Sequence, residues 1–592
     1  MRAVISKREE DIAAIVLPTK AKLSRGKPKV LLVCALVLCT LVIARGIRAG
    51  EFSYDVDETE HAVTGLYAAS LIQDHPAHPV EYTYQFYAQY PAIGVVHWPP
   101  LFHGFEGLAF LLLGPSVVAA RLTILLFALL GLTAWFGLVR ELKDEWTAAL
   151  STVLLATLPL MLLFEKTVML EIPCLSLCIA ASYLWTKYLL YEKTPTLFWF
   201  AGFAAAAFLT KQNAVYLPLF CVLSTVAMGK WRLLFRRQVL LSALAVVLLA
   251  GPFYLLVYRT HWRTTFMNLS DSEVSGIAGL LFYFKSLPEQ MGWAMLGLSL
   301  LGMVTSPRWE RKKIIALMLS WMLACYVAFT LVGLKDPRHT ISWLPPFIYF
   351  ASGMLTRMFS RPPLKTVATA AVMTLLASQL AATWSYRRPY VSGYSAAAKA
   401  VTQYASSGII LYDGALPGNF IFFLRANDPY RHFLVLRKAL YAMRIDKRWG
   451  AEELVHGRED IENLLRRVGV RFVVVSDQMN LEFESQRTLR DMLKTKQFKL
   501  LGSFPTRSSG EADAGHLLVY ENEQWTPPAD KFLTIRMLTL NHDLVVPFSQ
   551  FAVVDAKDVA GKSGSQMQAS PPHSYEPALT RESRCFGDAC RQ

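Results

Sequence analysis

Residues 30–385 form a succession of apolar runs, and this pattern constrains the fold more than any other feature of the chain. Each run is roughly 17–23 residues long, which is the length that a helix needs to cross about 30 Å of hydrocarbon. Charged residues make up 18% of the chain, whereas a typical soluble domain has about 25%. The sequence therefore predicts a polytopic α-helical membrane protein with about 11 transmembrane helices.

Short basic segments separate the apolar runs and predict their orientation. Residues 1–29 form a basic tail, and the loops near Arg140, Arg236, Lys312 and Arg361 are also basic. Because positive residues stay on the cytosolic side, we expect the N-terminus in the cytosol and, after an odd number of spans, the C-terminal part outside it. The net charge of +15 follows from this topology, and nucleic acid is not an expected partner.

The composition changes near residue 386 to that of a soluble domain. Short β-branched and aromatic runs predict strands at residues 409–412, 420–424, 433–436, 470–475 and 517–520, and residues 451–468 predict a helix. We therefore expect an extracytoplasmic α/β domain over residues 386–556. Residues 557–592 are rich in Ser, Pro, Gly and charge, which predicts a disordered tail. Its cysteines, Cys585 and Cys590, are able to pair if the tail lies outside the cytosol.

The most acidic stretch of the membrane part follows the first apolar run, in the first external loop at residues 48–98. It contains Asp55, Asp57, Glu58, Glu60 and His61. Ionisable groups beside a bilayer are costly unless they are paired or used, so we expect this loop to be catalytic. A structural explanation is equally open, because Asp57 followed by Glu60 fits the capping box of a helix that runs to about residue 73.

Other ionisable residues fall at turns on the same predicted side of the membrane. Glu165 and Glu171 flank one turn, and Lys166 is a sequence neighbour able to pair with Glu165. Lys211 and Arg338 occupy two further turns. These cations suit a lipid phosphate, which Arg binds through two hydrogen bonds and Lys as a point charge. Ordinary anchoring at the membrane interface is the competing explanation.

An aromatic and proline-rich segment, His97-Trp98-Pro99-Pro100-Leu101, follows at the end of this loop. Its rings and rigid turn suit a sugar or polyprenyl pocket, while interfacial anchoring by Trp98 explains it as well. The loop also contains several histidines, but no pair has the spacing of a metal site. We therefore expect no metal ligands and no cofactor, although the sequence leaves a divalent metal open.

The order of these motifs resembles the GT-C membrane glycosyltransferases, in the branch of the protein O-mannosyltransferases, the aminoarabinose transferases of lipid A and the Rgt-type transferases (families 39 and 83). The motifs are Asp57-Glu58-Thr59, Pro99-Pro100-Leu101, Ala120-Arg121-Leu122, Met169-Leu170-Glu171-Ile172-Pro173, Leu209-Thr210-Lys211 and Arg338-His339. The resemblance implies a GT-C-like transmembrane domain at residues 30–385. It also implies inverting transfer of a hexose or pentose from a polyprenyl-phosphate donor to an extracytoplasmic lipid, glycan or protein.

The resemblance further implies roles for named residues. Asp57, with Glu58 beside it, would be the catalytic base that takes the proton of the acceptor hydroxyl. Lys211 and Arg338 would stabilise the departing lipid phosphate. The residues expected to contact donor or acceptor are Asp55, His61, His97, Trp98, Glu171, Lys211, Arg338 and His339. Many relatives have Lys, Asp and Tyr where this chain has Trp98, Glu171 and His339.

Two other functions stay open at the level of sequence. A transporter or flippase of a lipid-linked substrate would place polar groups near the middle of its spans and show matched halves, and neither feature is visible. A non-catalytic assembly subunit would share the fold without needing its base, yet Asp57 is present. We therefore expect an enzyme in the inner membrane of a bacterium, with its active site on the outer face.

Overall fold

The computed structural model describes most of the chain. The described residues are 28–52, 56–95, 97–265, 276–308, 310–332, 335–359, 365–386, 389–443, 450–509, 514–538 and 542–553. Asp55, most of the basic tail at 1–29 and the tail at 557–592 with Cys585 and Cys590 lie outside them. Helices occupy the described chain up to residue 385, and strands occur from residue 391 onward.

The helices before residue 386 succeed one another with short connections. They are Pro28–Ala44, Val56–Asp74, Pro79–Gln89, Leu101–Leu113, Val117–Leu142, Glu145–Ala156, Pro159–Glu165, Glu171–Tyr191, Thr194–Phe208, Tyr216–Ala227, Arg237–Thr265, Gly276–Met291, Trp293–Thr305, Lys312–Thr330, Leu344–Phe359 and Lys365–Ser385. Segments of 3-10 helix connect some of them, at Gln212–Val215, Trp231–Phe235, Ser306–Arg308 and Pro337–Trp343.

The helix predicted to run from residue 57 to about residue 73 is confirmed as Val56–Asp74, here called the loop helix. It begins at Val56, so Asp57 lies inside its first turn. The predicted position of Asp57 at the helix cap is therefore wrong. A negative charge within the first turn still interacts favourably with the positive end of the helix dipole.

Four described helices are long and apolar enough to cross a membrane: Val117–Leu142, Arg237–Arg259, Lys312–Thr330 and Lys365–Ser385. The bent pair Glu145–Ala156 and Pro159–Glu165 makes a fifth span if it is counted as one. Several other apolar helices, such as that at residues 101–113, are too short to span a bilayer alone. The prediction of about eleven spans thus exceeds the number that meets this criterion among the described residues.

The apolar run at residues 147–164, which we expected to cross the membrane, is bent, because two helices meet there at an angle of 70°. Pro159 begins the second helix, and Leu158 before it has an extended backbone with φ −67° and ψ 145°. Proline lacks an N–H group and disfavours the helical conformation of the preceding residue. The bend is therefore a consequence of the Leu158-Pro159 sequence.

Helices cover the described parts of residues 259–286, which we expected to form a second external loop. The helix Arg237–Thr265 continues beyond residue 259, and the helix Gly276–Met291 covers the other end. The span predicted over residues 288–305 is interrupted at Gly292, whose φ of 78° favours glycine. The chain therefore turns at Gly292 before it enters the next helix.

The C-terminal region, which is described over much of residues 389–553, combines strands and helices as expected. Its strands are β1 Val391–Ser392, β2 Gly408–Asp413, β3 Phe433–Leu436, β4 Tyr441–Met443, β5 Ala451–Glu453, β6 Val470–Ser476, β7 Phe498–Ser508, β8 Gly515–Asn522, β9 Phe532–Met537 and β10 His542–Pro547. Its helices are Tyr394–Tyr404, Pro417–Asn427, Gly457–Val468 and Glu484–Met492, and Phe548–Gln550 is a 3-10 segment.

Six of these strands form one sheet in the order β1-β7-β8-β6-β2-β3. Strand β2 runs parallel to β6 and β3, with Ile410 opposite Phe472 and Val435. Strands β6, β8, β7 and β1 follow one another antiparallel. The remaining strands form two hairpins, β4–β5 and β9–β10.

Two predicted elements of this region are wrong. Residues 420–424 belong to the helix Pro417–Asn427, here called the docking helix, and not to a strand. Residues 451–453 form β5, so the helix predicted from residue 451 begins only at Gly457. An apolar run that is buried on all sides, as residues 420–422 are, has no periodicity that distinguishes a helix from a strand.

Strand β2 lies between two cores. Ile410 and Tyr412 pack in the core that also contains the membrane helices, whereas Ile409 and Leu411 pack in a second core. Alternate residues of a strand point to opposite faces, so the sheet separates the two cores. Phe422 of the docking helix reaches the first core, where its ring lies 4.9 Å from that of Phe52. The C-terminal region therefore packs directly on the helical part.

The docking helix is bonded to the chain that leads into the loop helix. The Asn419 side chain accepts a hydrogen bond from the Phe52 N–H at 3.2 Å and donates one to the Phe52 carbonyl at 2.6 Å. It thus satisfies both backbone groups of a buried residue, as a neighbouring strand would. Gly418 lies so close to Thr59 of the loop helix that a Cβ would collide with the Thr59 hydroxyl.

Glu51 makes a second connection to the C-terminal region. Its carboxylate accepts hydrogen bonds from the backbone N–H groups of Tyr394 and Ser395 at 3.1 and 3.0 Å, where a helix begins. Backbone N–H groups at a helix start lack partners within the helix, and a carboxylate there is favourable. On the other side, Arg121 donates hydrogen bonds to three carbonyls within residues 47–51. The entry to the loop helix is therefore held from two sides.

We predict that Asn419→Ala lowers the free energy of unfolding by about 2–4 kcal/mol, because two buried backbone groups of Phe52 would lose their partners. The midpoint of thermal unfolding of the detergent-purified protein measures this effect. Asn427→Ala, at the exposed end of the same helix, is the matched control. Equal midpoints for the two variants would show that these hydrogen bonds do not hold the docking helix.

Candidate active site

Four charged side chains meet where helices begin or end. Asp57 lies in the first turn of the loop helix, and Glu171 is the first residue of its helix. Lys211 comes between a helix and a 3-10 segment, and Arg338 lies in a second 3-10 segment. We call these four residues the charge cluster. All of them were candidate site residues in the sequence, and the structure brings them together.

The inner part of the charge cluster is a buried ion pair. Lys211 Nζ lies 2.5 Å from Glu171 Oε1, and the two side chains are 5% and 0% exposed. The ammonium also lies 5.3 Å from the ring centroid of Trp98, within the range of a cation–π interaction. Breaking such a pair would leave an uncompensated charge in a buried place. The pair therefore fixes Glu171, Lys211 and Trp98 relative to one another.

Arg338 connects this pair to Asp57. Its Nε lies 3.9 Å from Glu171 Oε1 and 3.2 Å from Asp336 Oδ2. Its Nη1 lies 3.4 Å from Asp57 Oδ2, and these two side chains are 16% and 22% exposed. The charge cluster thus extends from a buried pair to a partly exposed one. Asp57 and Arg338 are the members that a ligand reaches first.

His97 and Trp98 form one wall of the site. The Gln212 side chain donates a hydrogen bond to the His97 carbonyl at 2.7 Å, which holds this segment beside Lys211. Burial lowers the pKa of His97. The Trp98 ring also meets the His61 ring edge-on, with centroids 5.1 Å apart. Trp98 therefore contacts both Lys211 and His61.

Glu58 and His61 of the loop helix are both buried. Glu58 Oε1 accepts a hydrogen bond from the Val168 N–H at 2.8 Å, three residues before Glu171 in the chain. His61 Nδ1 lies 3.2 Å from His103 Nε2. Burial, followed by His103 and the nearby cations, holds the pKa of His61 well below its usual range. The geometry supports a positioning role for both residues.

Glu60 is a member of the site that sequence reasoning missed. Burial and then the Asp57 charge raise the pKa of Glu60 to about 7, against the attraction of Arg437 and Lys438. Its carboxylate lies against Gly94, where a Cβ would also meet Trp98. The spacing from Asp57 was the available signal, because residues three apart share one face of a helix.

His339 is oriented by aromatic neighbours. Its ring stacks on that of Phe329 with centroids 6.2 Å apart, and its Nδ1 lies 3.4 Å from the Tyr283 hydroxyl. Burial and then the Lys211 charge lower the pKa of His339 to about 4. The ring is therefore neutral near pH 7 and adds no charge beside Arg338.

Within the described ranges, no group of three or more His, Cys, Asp or Glu residues is arranged to hold a metal ion. The neighbouring rings of His61 and His103 bond to each other, and Glu171 bonds to Lys211. The expectation that no cofactor is needed stays a prediction.

The segment with Trp98, Glu171 and Lys211 matches a known family. Residues 97–255 match the family model described as dolichyl-phosphate-mannose-protein mannosyltransferase. Asp57 and Arg338 lie outside the matched residues, so the match covers the buried part of the charge cluster and not its exposed end. None of the curated protein sequences matches this chain.

The overall structure is similar to ArnT from Cupriavidus metallidurans. The crystal structure of ArnT bound to undecaprenyl phosphate superposes with a TM-score of 0.57 and 14% sequence identity, over 83% of this chain and 98% of that chain. The apo state gives the same TM-score and identity over 84% of this chain and 98% of that chain. This similarity confirms the GT-C fold, which is that of integral membrane proteins.

A more distant structure is the archaeal oligosaccharyltransferase AglB from Archaeoglobus fulgidus, in complex with an inhibitory peptide and a dolichol-phosphate. Its TM-score is 0.45 at 13% identity, over 76% of this chain and 69% of that chain. With the family model and ArnT, the resemblance to the GT-C membrane glycosyltransferases inferred from the motifs is confirmed.

We predict that Glu171→Gln and Lys211→Met each lower the free energy of unfolding by about 3–5 kcal/mol, because each leaves one buried charge unpaired. The double variant should lose less than the sum, since neither charge remains. Thermal unfolding of the three variants forms a double-mutant cycle. Lys494→Met, which breaks the exposed Lys494–Asp491 pair, should cost less than about 1 kcal/mol. Strictly additive losses would contradict the coupling.

We predict that Glu60→Gln stabilises the protein increasingly between pH 4.5 and 7. The folded pKa of about 7 lies above the ordinary 4.5, so ionisation costs free energy only in the folded state. This cost begins near pH 4.5, is complete above pH 7, and is at most about 3 kcal/mol. Thermal midpoints from pH 4.5 to 8 measure the gain, with exposed Glu459→Gln as control. A gain that is independent of pH would contradict the prediction.

Proposed function

We propose that this chain, which has the GT-C fold, is a membrane glycosyltransferase that moves a sugar from a polyprenyl-phosphate donor to an acceptor hydroxyl. The family model and the ArnT structure with undecaprenyl phosphate support a donor of this type. The observation that carries the proposal is the partly exposed pair of Asp57 and Arg338, with 3.4 Å between Oδ2 and Nη1. In this pair, a carboxylate that is able to take a proton lies beside a guanidinium that is able to bind a phosphate.

In the proposed reaction, Asp57 acts as the base. Its carboxylate takes the proton of the acceptor hydroxyl while the hydroxyl oxygen attacks the anomeric carbon of the sugar. The bond between that carbon and the phosphate oxygen breaks, and the polyprenyl phosphate leaves with the electron pair. Attack from the face opposite the phosphate inverts the configuration at the anomeric carbon.

Arg338 is the better placed of the two cations for the leaving phosphate. It is 16% exposed and stands beside Asp57. Lys211 is bound to Glu171 and covered by Trp98. We therefore assign Arg338 to the phosphate, to which guanidinium offers two hydrogen bonds, and Lys211 to the positioning of Glu171. His97, Trp98 and His339 are also proposed to contact the donor, because Trp98 contacts Lys211, His97 precedes Trp98 and His339 follows Arg338.

We also propose that the reaction takes place on the outer face of a bacterial inner membrane. The helix Val117–Leu142 supports this orientation, because its two ends have different partners. Arg121 near its start binds residues 47–51 before the loop helix, whereas Lys143 after its end binds Glu310 in a basic loop. Basic loops stay in the cytosol, so the charge cluster and the C-terminal region belong on the other side.

A transporter or flippase of a lipid-linked substrate is the second candidate function. Transport sites in such proteins lie near the bilayer midplane, between repeated halves. Here the members of the charge cluster lie at or beside the ends of helices and 3-10 segments. This placement favours chemistry at one face of the membrane. It favours the enzyme over a non-catalytic subunit as well, because the cluster contains both the base and the cation.

We predict that Asp57→Asn lowers sugar transfer by about 100-fold or more, because the amide cannot take the acceptor proton. Purified protein in liposomes is assayed with a panel of radiolabelled polyprenyl-phosphate sugars and envelope acceptors. Asp336→Asn is the matched control, since Asp336 also binds Arg338, at 3.2 Å, and its loss should cost less than about tenfold.

Equal losses in the two variants would show that Asp57 serves only to hold Arg338. Transfer that survives Asp57→Asn in full would remove Asp57 from the mechanism. If the wild type moves the labelled lipid across the liposome membrane and transfers no sugar, the transporter replaces the enzyme.

A further inference from the structure

A cavity of about 450 Å³ lies in the C-terminal region, between strand β3, the helix Gly457–Val468 and strand β9. The apolar part of its lining, here called the apolar floor, includes the buried side chains of Leu436, Val455, Val468 and Leu533. Pro91 of the first external loop completes one wall. The cavity is therefore shared between the C-terminal region and the loop that contains Asp57.

Two cations stand at the wall next to Pro91. Arg437 Nη1 donates a hydrogen bond to the Pro91 carbonyl at 3.3 Å, and Lys438 Nζ donates one to the Tyr87 hydroxyl at 2.9 Å. Both partners are neutral. Within the part of the chain that the structure describes, neither cation forms an ion pair with a carboxylate. Among the described residues, no carboxylate therefore neutralises the charges of Arg437 and Lys438 by direct contact.

The other charged residues of the lining have partners of their own. Arg467 pairs with Asp530 at 2.9 Å, and Asp460 accepts a hydrogen bond from the His456 N–H at 2.9 Å. Arg437 and Lys438 are thus the lining charges best suited to a ligand. A guanidinium and an ammonium side by side favour a phosphate or a carboxylate.

Residues 91–98 connect the cavity to the charge cluster. Pro91 lines the cavity, Gly94 lies against Glu60, and Trp98 contacts Lys211. This segment spans at most about 25 Å even if it were fully extended. Arg437 and Lys438 are also close enough to Glu60, one turn from Asp57, to favour its charged form. The cavity is therefore connected to the loop helix by a short segment of chain and by the charges of Arg437 and Lys438.

We propose that this cavity binds an anionic saccharide portion of the acceptor, with a phosphate or carboxylate on Arg437 and Lys438 and a sugar ring over the apolar floor. The inference rests on the proposed function, since the acceptor is the substrate that must approach Asp57. The volume is in the range of small-molecule sites. Gln89 already binds the Phe433 carbonyl of edge strand β3 at 2.8 Å, so an extended peptide cannot add to that edge there.

Saturation-transfer difference NMR of the full chain in nanodiscs tests this site without sugar transfer. The probe is glucose 6-phosphate, compared with glucose and inorganic phosphate. We expect the wild type to bind glucose 6-phosphate more tightly than either, and the Arg437→Gln/Lys438→Gln variant to bind it about tenfold less tightly or weaker still. Lys494→Gln/Lys496→Gln removes two exposed charges of the same region and should bind like the wild type.

Four results would overturn the proposal: no binding of glucose 6-phosphate to the wild type, equal binding by both double variants, inorganic phosphate that binds as tightly as the sugar phosphate, or tighter binding by a short acidic peptide. Because binding is measured without turnover, a chain that binds the probe and transfers no sugar would refute the proposed function and the acceptor assignment, and would leave the cavity as a site for an anionic sugar. Where transfer is observed, Arg437→Gln/Lys438→Gln should raise KM for an anionic acceptor by a larger factor than it lowers kcat.

Discussion

The buried pair of Glu171 and Lys211 is the interaction on which the rest of the candidate site depends. Neither charge is stable alone at a place where both side chains are almost fully buried. Paired, they bring together chain segments that come from different helices. Trp98 packs on the Lys211 side, and Arg338 lies 3.9 Å from the Glu171 carboxylate. The position of Asp57 follows in turn, because Asp57 is bonded to Arg338.

The C-terminal region fixes the same loop helix from the other side. Asn419 binds the backbone of Phe52, and Gly418 lies against Thr59, two residues after Asp57. The loop helix is therefore held between the charge cluster and the docking helix. A carboxylate held in this way needs little reorganisation when a substrate arrives, which is how preorganised sites lower barriers.

The sequence indicated the four charged residues that the structure brings together, because ionisable side chains at the ends of apolar runs are costly unless they are paired or used. It did not reveal that Lys211 pairs with Glu171 across 40 residues, since helix packing decides such contacts. The local sequence pattern also failed to distinguish a helix from a strand at residues 420–424. These residues are mostly buried and form a helix, where a strand was predicted. The lengths of the apolar runs gave no sign of breaks within them. Pro159 bends one run, and Gly292 interrupts another.

Three carboxylates lie around the Arg338 guanidinium. They belong to Asp57, Asp336 and Glu171, and Glu171 also pairs with Lys211. Under the proposed function, the lipid phosphate binds at the same guanidinium and competes with Asp57 for it. The Asp57 carboxylate then loses part of the attraction that opposes its taking a proton. Proton removal from the acceptor would thereby become easier only when the donor is in place, which couples the base to the sugar that the acceptor attacks.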